Sequence, residues 1–294
     1  MTLLISTYND VAALRRCLLG VLVQTRMPDQ VIVSDDGSTP ETQALLRRPE
    51  FATLPLEHVW QYDDRWRRPR ALNLSLAHCT GDYAVFIDGD CIPRADYVAA
   101  HVRHSRPRTY VSGAQIPIPI DVHPSIPDAA ILDQRAFSPG YLRGIYPGIE
   151  SWRRRLEPGR GEAALNLLTW RYCTLRGSNF SAWMDDIRAV NGFDEAFGYG
   201  SDDREFGVRL RNAGVASRWL KYSLVQLHLN HRQGWVDPQA ARLQRRKFRR
   251  LFLTGATRVE PGIDTAVARG LREDPVPFRH TVIGRWARPL RLAA

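Results

Sequence analysis

The chain has 294 residues, with 41 Lys+Arg against 31 Asp+Glu and a net charge of +10. At 44% hydrophobic and 10% aromatic it can bury a core, which excludes global disorder, and its length excludes a disulfide miniprotein. The positive balance admits nucleic acid, an anionic membrane surface or phosphate-bearing substrates as partners.

In chain order, residues 3–7 read as a buried strand. Asp10 can cap a helix whose apolar positions Val11, Leu14, Leu18, Val21 and Leu22 recur at helical spacing. Residues 30–34 form a second strand, stopped by Asp35-Asp36-Gly37-Ser38. A helix over 40–48, a strand over 56–60, a helix over 70–78 and an apolar strand over 83–87 complete a β-α-β alternation. That alternation predicts an α/β fold with a mostly parallel, Rossmann-like sheet flanked by helices. Ligands of such sheets bind beyond the carboxyl ends of the strands, where Thr7-Tyr8-Asn9, Asp35-Asp36-Gly37-Ser38 and Asp88-Gly89-Asp90 fall.

Residues 115–158 are rich in Pro and Gly and lack clear periodicity, so a long loop or lid with helical pieces is expected there. Regular structure resumes near Leu165. Residues 203–213 read as a helix closed by Gly214, and 223–227 as a short strand. Composition then divides the chain into a domain over 1–238, with halves at 1–110 and 111–238, and a basic helical extension over 239–294. Four scattered cysteines (Cys17, Cys79, Cys91, Cys173) without a CxxC pair fit a reduced cytoplasm. No secretory pattern follows Met1, and no apolar run approaches membrane-spanning length.

Asp88-Gly89-Asp90 places two acids at i and i+2 around a small residue. Such carboxylates can share one hard cation, Mg²⁺ or Mn²⁺, although the same tripeptide also makes an ordinary polar turn. Asp35-Asp36-Gly37-Ser38 reads equally as a turn or as ligand contacts. Gly198-Tyr199-Gly200-Ser201-Asp202-Asp203 opens a helix; a carboxylate there is favoured as an anion by the helix dipole and suits a general base, or it is simply a capping acid. His228 and His231 follow the last strand, and one of them is a plausible third metal ligand beside a separate DxD. Neither a G-x-G-x-x-G nor a P-loop follows the first strand, which counts against dinucleotide oxidoreductases and P-loop NTPases.

Five motifs in this order resemble those of the family 2 glycosyltransferases with the GT-A fold. They are Ser6-Thr7-Tyr8-Asn9, the run from Gln24-Thr25 to Gly37-Ser38, Asp88-Gly89-Asp90-Cys91-Ile92-Pro93, Asn191-Gly192-Phe193-Asp194-Glu195, and Gly198-Tyr199-Gly200-Ser201-Asp202-Asp203-Arg204-Glu205-Phe206. The similarity is greatest to the bacterial cell-envelope branch, which includes chondroitin-polymerase-like enzymes, with a galactosyltransferase-like acidic motif. It implies an inverting, metal-dependent transferase that moves a sugar from a nucleotide-diphosphate donor, usually a UDP-sugar, to a hydroxyl of a glycan or lipid-linked glycan. By the same resemblance Thr7, Tyr8 and Asn9 line the nucleotide pocket, Asp36 bonds the base, and Arg70 and Asn73 contact the nucleotide or its phosphates. Asp88 touches ribose or metal, and Asp90 with His228 (His231 in reserve) ligates Mn²⁺ or Mg²⁺. Asp203 is the base, and Asp202, Tyr199, Gly200 and Asn179 contact the acceptor. This chain departs from the pattern at Tyr199 for the usual Trp, at Ser201-Asp202 for Gly-Glu, and at Arg65, where relatives often carry Gly.

Two other classes compete. A nucleotidyltransferase acting on sugar phosphates also uses a Rossmann-like sheet and paired acids, but usually has a Gly-rich basic loop after the first strand. A nucleic-acid module needs basic and aromatic residues interleaved on a sheet face, whereas these strand ends are acidic, so no nucleic-acid partner is expected. The charge itself sits at the end of the chain: residues 239–294 hold 13 basic and four acidic residues, a net +9. There Ala240, Leu243, Phe248, Leu251 and Phe252 share one side of a helical wheel, and Arg242, Arg245, Arg246, Arg249 and Arg250 the other. Such a helix suits peripheral contact with the inner face of an anionic plasma membrane, or packing on the domain with a solvated arginine face.

Overall fold

The computed structural model describes residues 1–146, 161–168, 175–197, 201–231 and 238–283. The alternation read from the sequence is present: β1 (Thr2–Thr7), α1 (Val11–Leu22), β2 (Gln30–Asp35), α2 (Pro40–Leu46), β3 (Leu56–Trp60), α3 (Arg68–Ala77) and β4 (Tyr83–Asp88). β5 (Cys91–Pro93), α4 (Tyr97–His104), β6 (Thr109–Ser112) and β7 (Ala114–Ile118) follow, then α5 (Asp128–Leu132), α6 (Pro139–Ile145) and α7 (Glu162–Leu168). The rest comprises β8 (Asn179–Trp183), α8 (Met184–Ala189), α9 (Asp202–Asn212), β9 (Ala216–Trp219), β10 (Val225–Leu229), α10 (Pro238–Thr254), α11 (Ile263–Glu273) and β11 (Arg279–Val282).

The main sheet has eight strands in the order β11-β3-β2-β1-β4-β8-β6-β9, and a second sheet orders β5-β10-β7. Strands β3, β2, β1 and β4 are parallel, and β11 and β8 flank them antiparallel. The parallel strands are buried on both faces, which is why they read as continuous apolar runs rather than alternating ones. One core cluster, built around Leu14, Leu18, Val31 and Val85, lies on the α1 face. The other lies on the α3 and α9 face, where Phe86 stacks on Phe180 at 4.0 Å and Phe193 on Phe206 at 4.4 Å. Asp10 caps α1 by accepting the Ala13 N–H at 2.9 Å.

Two expectations from composition do not survive. The described part of 115–158 has the expected helical pieces, α5 and α6, but it is packed structure rather than a loop or lid: β7 pairs in parallel with β10, and Val122, Ile126, Ile131, Phe137 and Leu142 pack into the α1-side core. β7 is an edge strand, so Pro117 costs the sheet no central hydrogen bond. Nor is 238/239 a boundary of the packed unit. β11 extends the main sheet through pairing with β3, and α11 packs on α3 with Ala266 buried. The basic helix α10 also lies against the domain. Lys247 Nζ donates to Ala196 O at 2.9 Å and Leu251 is buried, while Arg246, Arg249 and Arg250 face outward beside exposed Phe252 and Leu253. Among the described side chains the packed arrangement therefore holds, with one of the wheel's apolar residues on each side. No helix of the described residues is long and apolar enough to cross a membrane.

Candidate active site

The carboxyl ends of β1, β2 and β4 open into a cleft of about 490 Å³ lined by Thr7, Tyr8, Asn9, Asp36, Asp88 and Asp90. All six were expected there from the sequence. A second cleft of about 310 Å³ adjoins it and contains Gly177, Ser178, Asp202, Asp203 and His228. Arg68, Asp88, Asp90 and His231 line both.

Parallel register sets the first cleft, because Thr7 stands opposite Asp35 and Ser6 opposite Asp88. Gly37 turns the chain at φ +99°, where a Cβ would lie 2.6 Å from the Asp63 Cα, so only glycine fits. Asp36 is buried, its Oδ1 accepting from Gln61 Nε2 at 2.5 Å and its Oδ2 from the Arg67 N–H at 2.8 Å. Burial pushes its carboxyl up to about 7, against the pull of those two donors. Arg65, which occupies a position where glycine is usual, adopts φ +63° on an exposed loop and lines neither cleft.

Backbone pairing brings the metal candidates together. β5 runs antiparallel to β10 with His228 opposite Cys91, and the Leu229 N–H donates to Asp90 O at 2.8 Å. Asp90 Oδ2 then lies 3.4 Å from His228 Nε2 and 3.2 Å from His231 Nε2. His228 Nδ1 is 2.9 Å from Asn230 Oδ1, which holds the ring with its Nε2 toward Asp90. Burial opposes ionisation of Asp90, but the two histidines outweigh it and hold the carboxyl well below its usual range. Burial acts to lower His228, but the hydrogen bond and charge of Asp90, with Asn230 and Asp88, together outweigh it, and His228 is raised. One carboxylate and two imidazoles make a donor set that fits a divalent cation. Cys91 places its Sγ within 4.8 Å of the Asp90 and His228 ligand atoms; its fully buried thiol is pushed well above its ordinary value, donates to Asp90 Oδ1 at 3.4 Å and accepts from Gln226 Nε2 at 3.1 Å.

The second cleft is built around Asp203, one residue into α9. Gly177 N–H donates to its Oδ2 at 2.9 Å and Arg204 N–H to its Oδ1 at 2.7 Å, which fixes the carboxylate against the Gly177-Ser178 strap. Asp202 turns the other way. It is buried, and its Oδ2 takes Arg68 Nη1 at 2.8 Å. Burial, reinforced by the neighbouring Asp203, raises the Asp202 carboxyl despite that arginine. Tyr199 and Gly200, the other acceptor candidates of this motif, lie outside the described residues.

Three sequence-based assignments are corrected by geometry. Arg70 lines neither cleft. It is buried under α11, donating to Gln61 Oε1 at 3.0 Å and Asp274 Oδ2 at 2.8 Å. Asn73 clamps the Asn191–Glu195 motif, with Nδ2 on Phe193 O at 2.9 Å and Oδ1 on the Phe193 N–H at 2.8 Å. Asn179 is fully buried: its Oδ1 accepts from Tyr97 and His101, and its Nδ2 donates to Ala114 O and Leu224 O, so no atom is left for an acceptor.

The residue that sequence reasoning missed is Arg68. Its Nη2 donates to Asp88 Oδ1 at 2.8 Å, its Nε to Ser6 Oγ at 3.2 Å and its Nη1 to Asp202, so it ties the two clefts together. The signal was present. On a helix of 3.6 residues per turn, positions 68 and 70 point to nearly opposite faces, so only one of the two arginines could meet the strand ends.

Comparison with known proteins agrees with this geometry. Residues 2–141 match the profile of Glycosyl transferase family 2, and residues 163–232 that of the N-terminal domain of galactosyltransferase. Validoxylamine A glucosyltransferase of Streptomyces hygroscopicus subsp. limoneus is 28% identical over 223 residues, covering 73% of this chain and 48% of that protein. Hyaluronan synthase of Pasteurella multocida is 25% identical over 227 residues, 73% of this chain and 23% of the synthase. The chain thus spans about half or less of the length of these relatives. Among solved structures, a mannosyltransferase from Pyrobaculum calidifontis in complex with GDP-Man and Mn²⁺ aligns with TM-score 0.55 at 20% identity, covering 94% of this chain and 65% of that one. Glucosyl-3-phosphoglycerate synthase from Mycobacterium tuberculosis with Mn²⁺, UDP and glucosyl-3-phosphoglycerate aligns at TM-score 0.50 and 17% identity, covering 89% and 81%. With both profiles falling on the residues that build the two clefts, the chain belongs to the family 2 glycosyltransferases of the GT-A fold.

Proposed function

We propose that this glycosyltransferase inverts configuration, moving a sugar from a UDP-linked donor to a hydroxyl of a glycan or lipid-linked glycan in cell-envelope synthesis, and that it uses Mn²⁺ or Mg²⁺. The observation that carries the reading is the junction of the two clefts at Arg68, Asp88, Asp90 and His231, with Asp203 on one side and Asp36 on the other. Asp36 offers a carboxylate acceptor to a base N–H. Asp90 with His228 and His231 would hold the cation, and the imidazoles favour Mn²⁺ over the harder Mg²⁺. Bound there, the cation supplies charge neutralisation to a diphosphate leaving group. Asp203, held by two backbone N–H groups, takes the acceptor proton, and a single attack opposite the diphosphate inverts the anomeric centre. An enzyme from Mycobacterium tuberculosis with this fold is described with UDP and Mn²⁺, which supports the donor class.

A screen of nucleotide sugars with Mn²⁺ for release of nucleoside diphosphate tests this. UDP release from at least one UDP-sugar, stopped by a chelator and restored by added Mn²⁺, is the expected outcome. Release that persists at full rate in chelator would sink the metal assignment, and the absence of any release or UDP-dependent stabilisation would sink the donor.

A further inference from the structure

Asp274 follows directly on α11, more than two hundred residues from the Asp35-Asp36-Gly37-Ser38 turn, yet its side chain is only 3% exposed. Its Oδ1 accepts from Arg67 Nη1 at 3.3 Å and its Oδ2 from Arg70 Nη1 at 2.8 Å. Both arginines lead to Asp36. The backbone N–H of Arg67 caps Asp36 Oδ2. The Nη1 of Arg70 also donates to Gln61 Oε1, which forces the Gln61 amide to turn its Nε2 toward Asp36 Oδ1. An amide has two orientations of similar shape, and an arginine against its oxygen decides between them. Arg70 is itself buried, and Asp274 is the one carboxylate within ion-pair distance of it among the described residues. A buried guanidinium without a counter-charge is strongly disfavoured, so the arginine keeps its place only while Asp274 is there.

We propose that Asp274 is a positioning residue for Asp36, and through it for the base of the nucleoside diphosphate donor. The proposal rests on the reading of Asp36 as the base contact. It gives the C-terminal segment a task in donor selection: α11 packs on α3, and at Gly270 a Cβ would lie 3.3 Å from Leu74 Cδ2 and 3.5 Å from Arg70 Nη2, so the close approach delivers Asp274 to the underside of the base subsite.

The test is calorimetric titration of the full chain with UDP plus Mn²⁺ and, separately, with inorganic pyrophosphate plus Mn²⁺, which reports the metal and diphosphate contacts without a base. Asp274→Asn should weaken UDP binding by roughly tenfold to a hundredfold, the scale of a lost buried charged hydrogen bond, and leave pyrophosphate binding within about twofold. Asp274→Glu, which keeps the counter-charge, should fall between the Asn variant and the wild type. Equal losses for both ligands would mark a merely structural role and overturn the proposal. So would unchanged UDP affinity in Asp274→Asn while Asp36→Asn loses it, an outcome that leaves the base reading intact. If Asp36→Asn itself leaves UDP affinity unchanged, the base reading falls and the proposal with it. Should the Asn variant not fold, Asp274→Glu carries the same comparison: a loss selective for UDP supports the proposal, and a loss for both or neither overturns it.

Discussion

The two clefts are made in different ways. The nucleotide side is assembled by neighbouring parallel strands whose ends are adjacent by register, so the backbones of β1, β2 and β4 bring Thr7, Asp36 and Asp88 together, and Gln61 and Arg67 then orient the Asp36 side chain. The acceptor side is assembled from a distance. Asp203 is fixed by Gly177, Asp202 by Arg68 across 134 residues, and Asp90 by His228 through a second sheet. The first arrangement is stiff because the sheet is stiff. The second depends on a few hydrogen bonds between segments, and single substitutions there should have the larger effects on turnover.

The sharpest break between the two sides should come at Asp203. Asp203→Asn keeps the size and one of the two backbone contacts but removes the proton acceptor, so kcat should fall about a thousandfold, within the range of lost general-base catalysis. UDP affinity, measured by calorimetry, should stay within about twofold, because the nucleotide cleft is built by other strands. Turnover near the wild-type rate would remove Asp203 from the chemistry. A smaller effect is expected at the metal pair. His228 is pre-oriented by Asn230 on a strand, whereas His231 is 46% exposed beyond the strand end. His228→Ala should therefore weaken Mn²⁺ binding by about a hundredfold and His231→Ala by about tenfold, since oriented ligands lose less entropy on binding. A larger loss from His231→Ala, read by Mn²⁺ titration, would reverse their roles.

The same contrast explains what could be read from the sequence. Local periodicity delivered β1 to β4 and the helices between them, and the polar turns at their ends marked the residues that line the first cleft. Arg70 and Asn73 were misplaced because the resemblance identified a stretch of α3 as near the donor without saying which face turns toward it. Asn179 was misplaced because adjacency to Gly177-Ser178 says nothing of the alternation along β8, which sends the next side chain inward. β7, β11 and the burial of Asp274 escaped because they are stabilised by pairing across the fold: Pro117 and the arginine-rich composition each argued locally for something else. His228 was singled out through the spacing of the resemblance, and the antiparallel register of β5 with β10 is what brings it beside Asp90.

The smallest effect expected concerns pH and separates the two sides once more. Burial raises the Asp36 carboxyl to about 7, so in the free protein it is largely protonated below that pH and ionised above it. A base N–H needs an acceptor, and only the carboxylate keeps an accepting lone pair on each oxygen beyond those taken by Gln61 and Arg67, so UDP affinity should rise with pH through about 7 and level off above it. The sign follows from the direction of the shift: binding favours the form with fewer protons, so ligand uptake releases a proton and is aided as protons become scarce. Between pH 6 and pH 8 a group titrating near 7 changes its ionised fraction about tenfold, which sets the size of the effect. His228, which Asp90 holds above its ordinary value, must also lose a proton before its Nε2 can ligate a cation, and this adds a rise of the same sign through the metal. Asp36→Asn separates the two contributions. It should abolish the Asp36 share and leave the metal-linked share, which pyrophosphate binding shows alone. If the variant keeps the whole slope, the pH dependence belongs to the metal side and the neutral-range carboxyl of Asp36 has no part in holding the base.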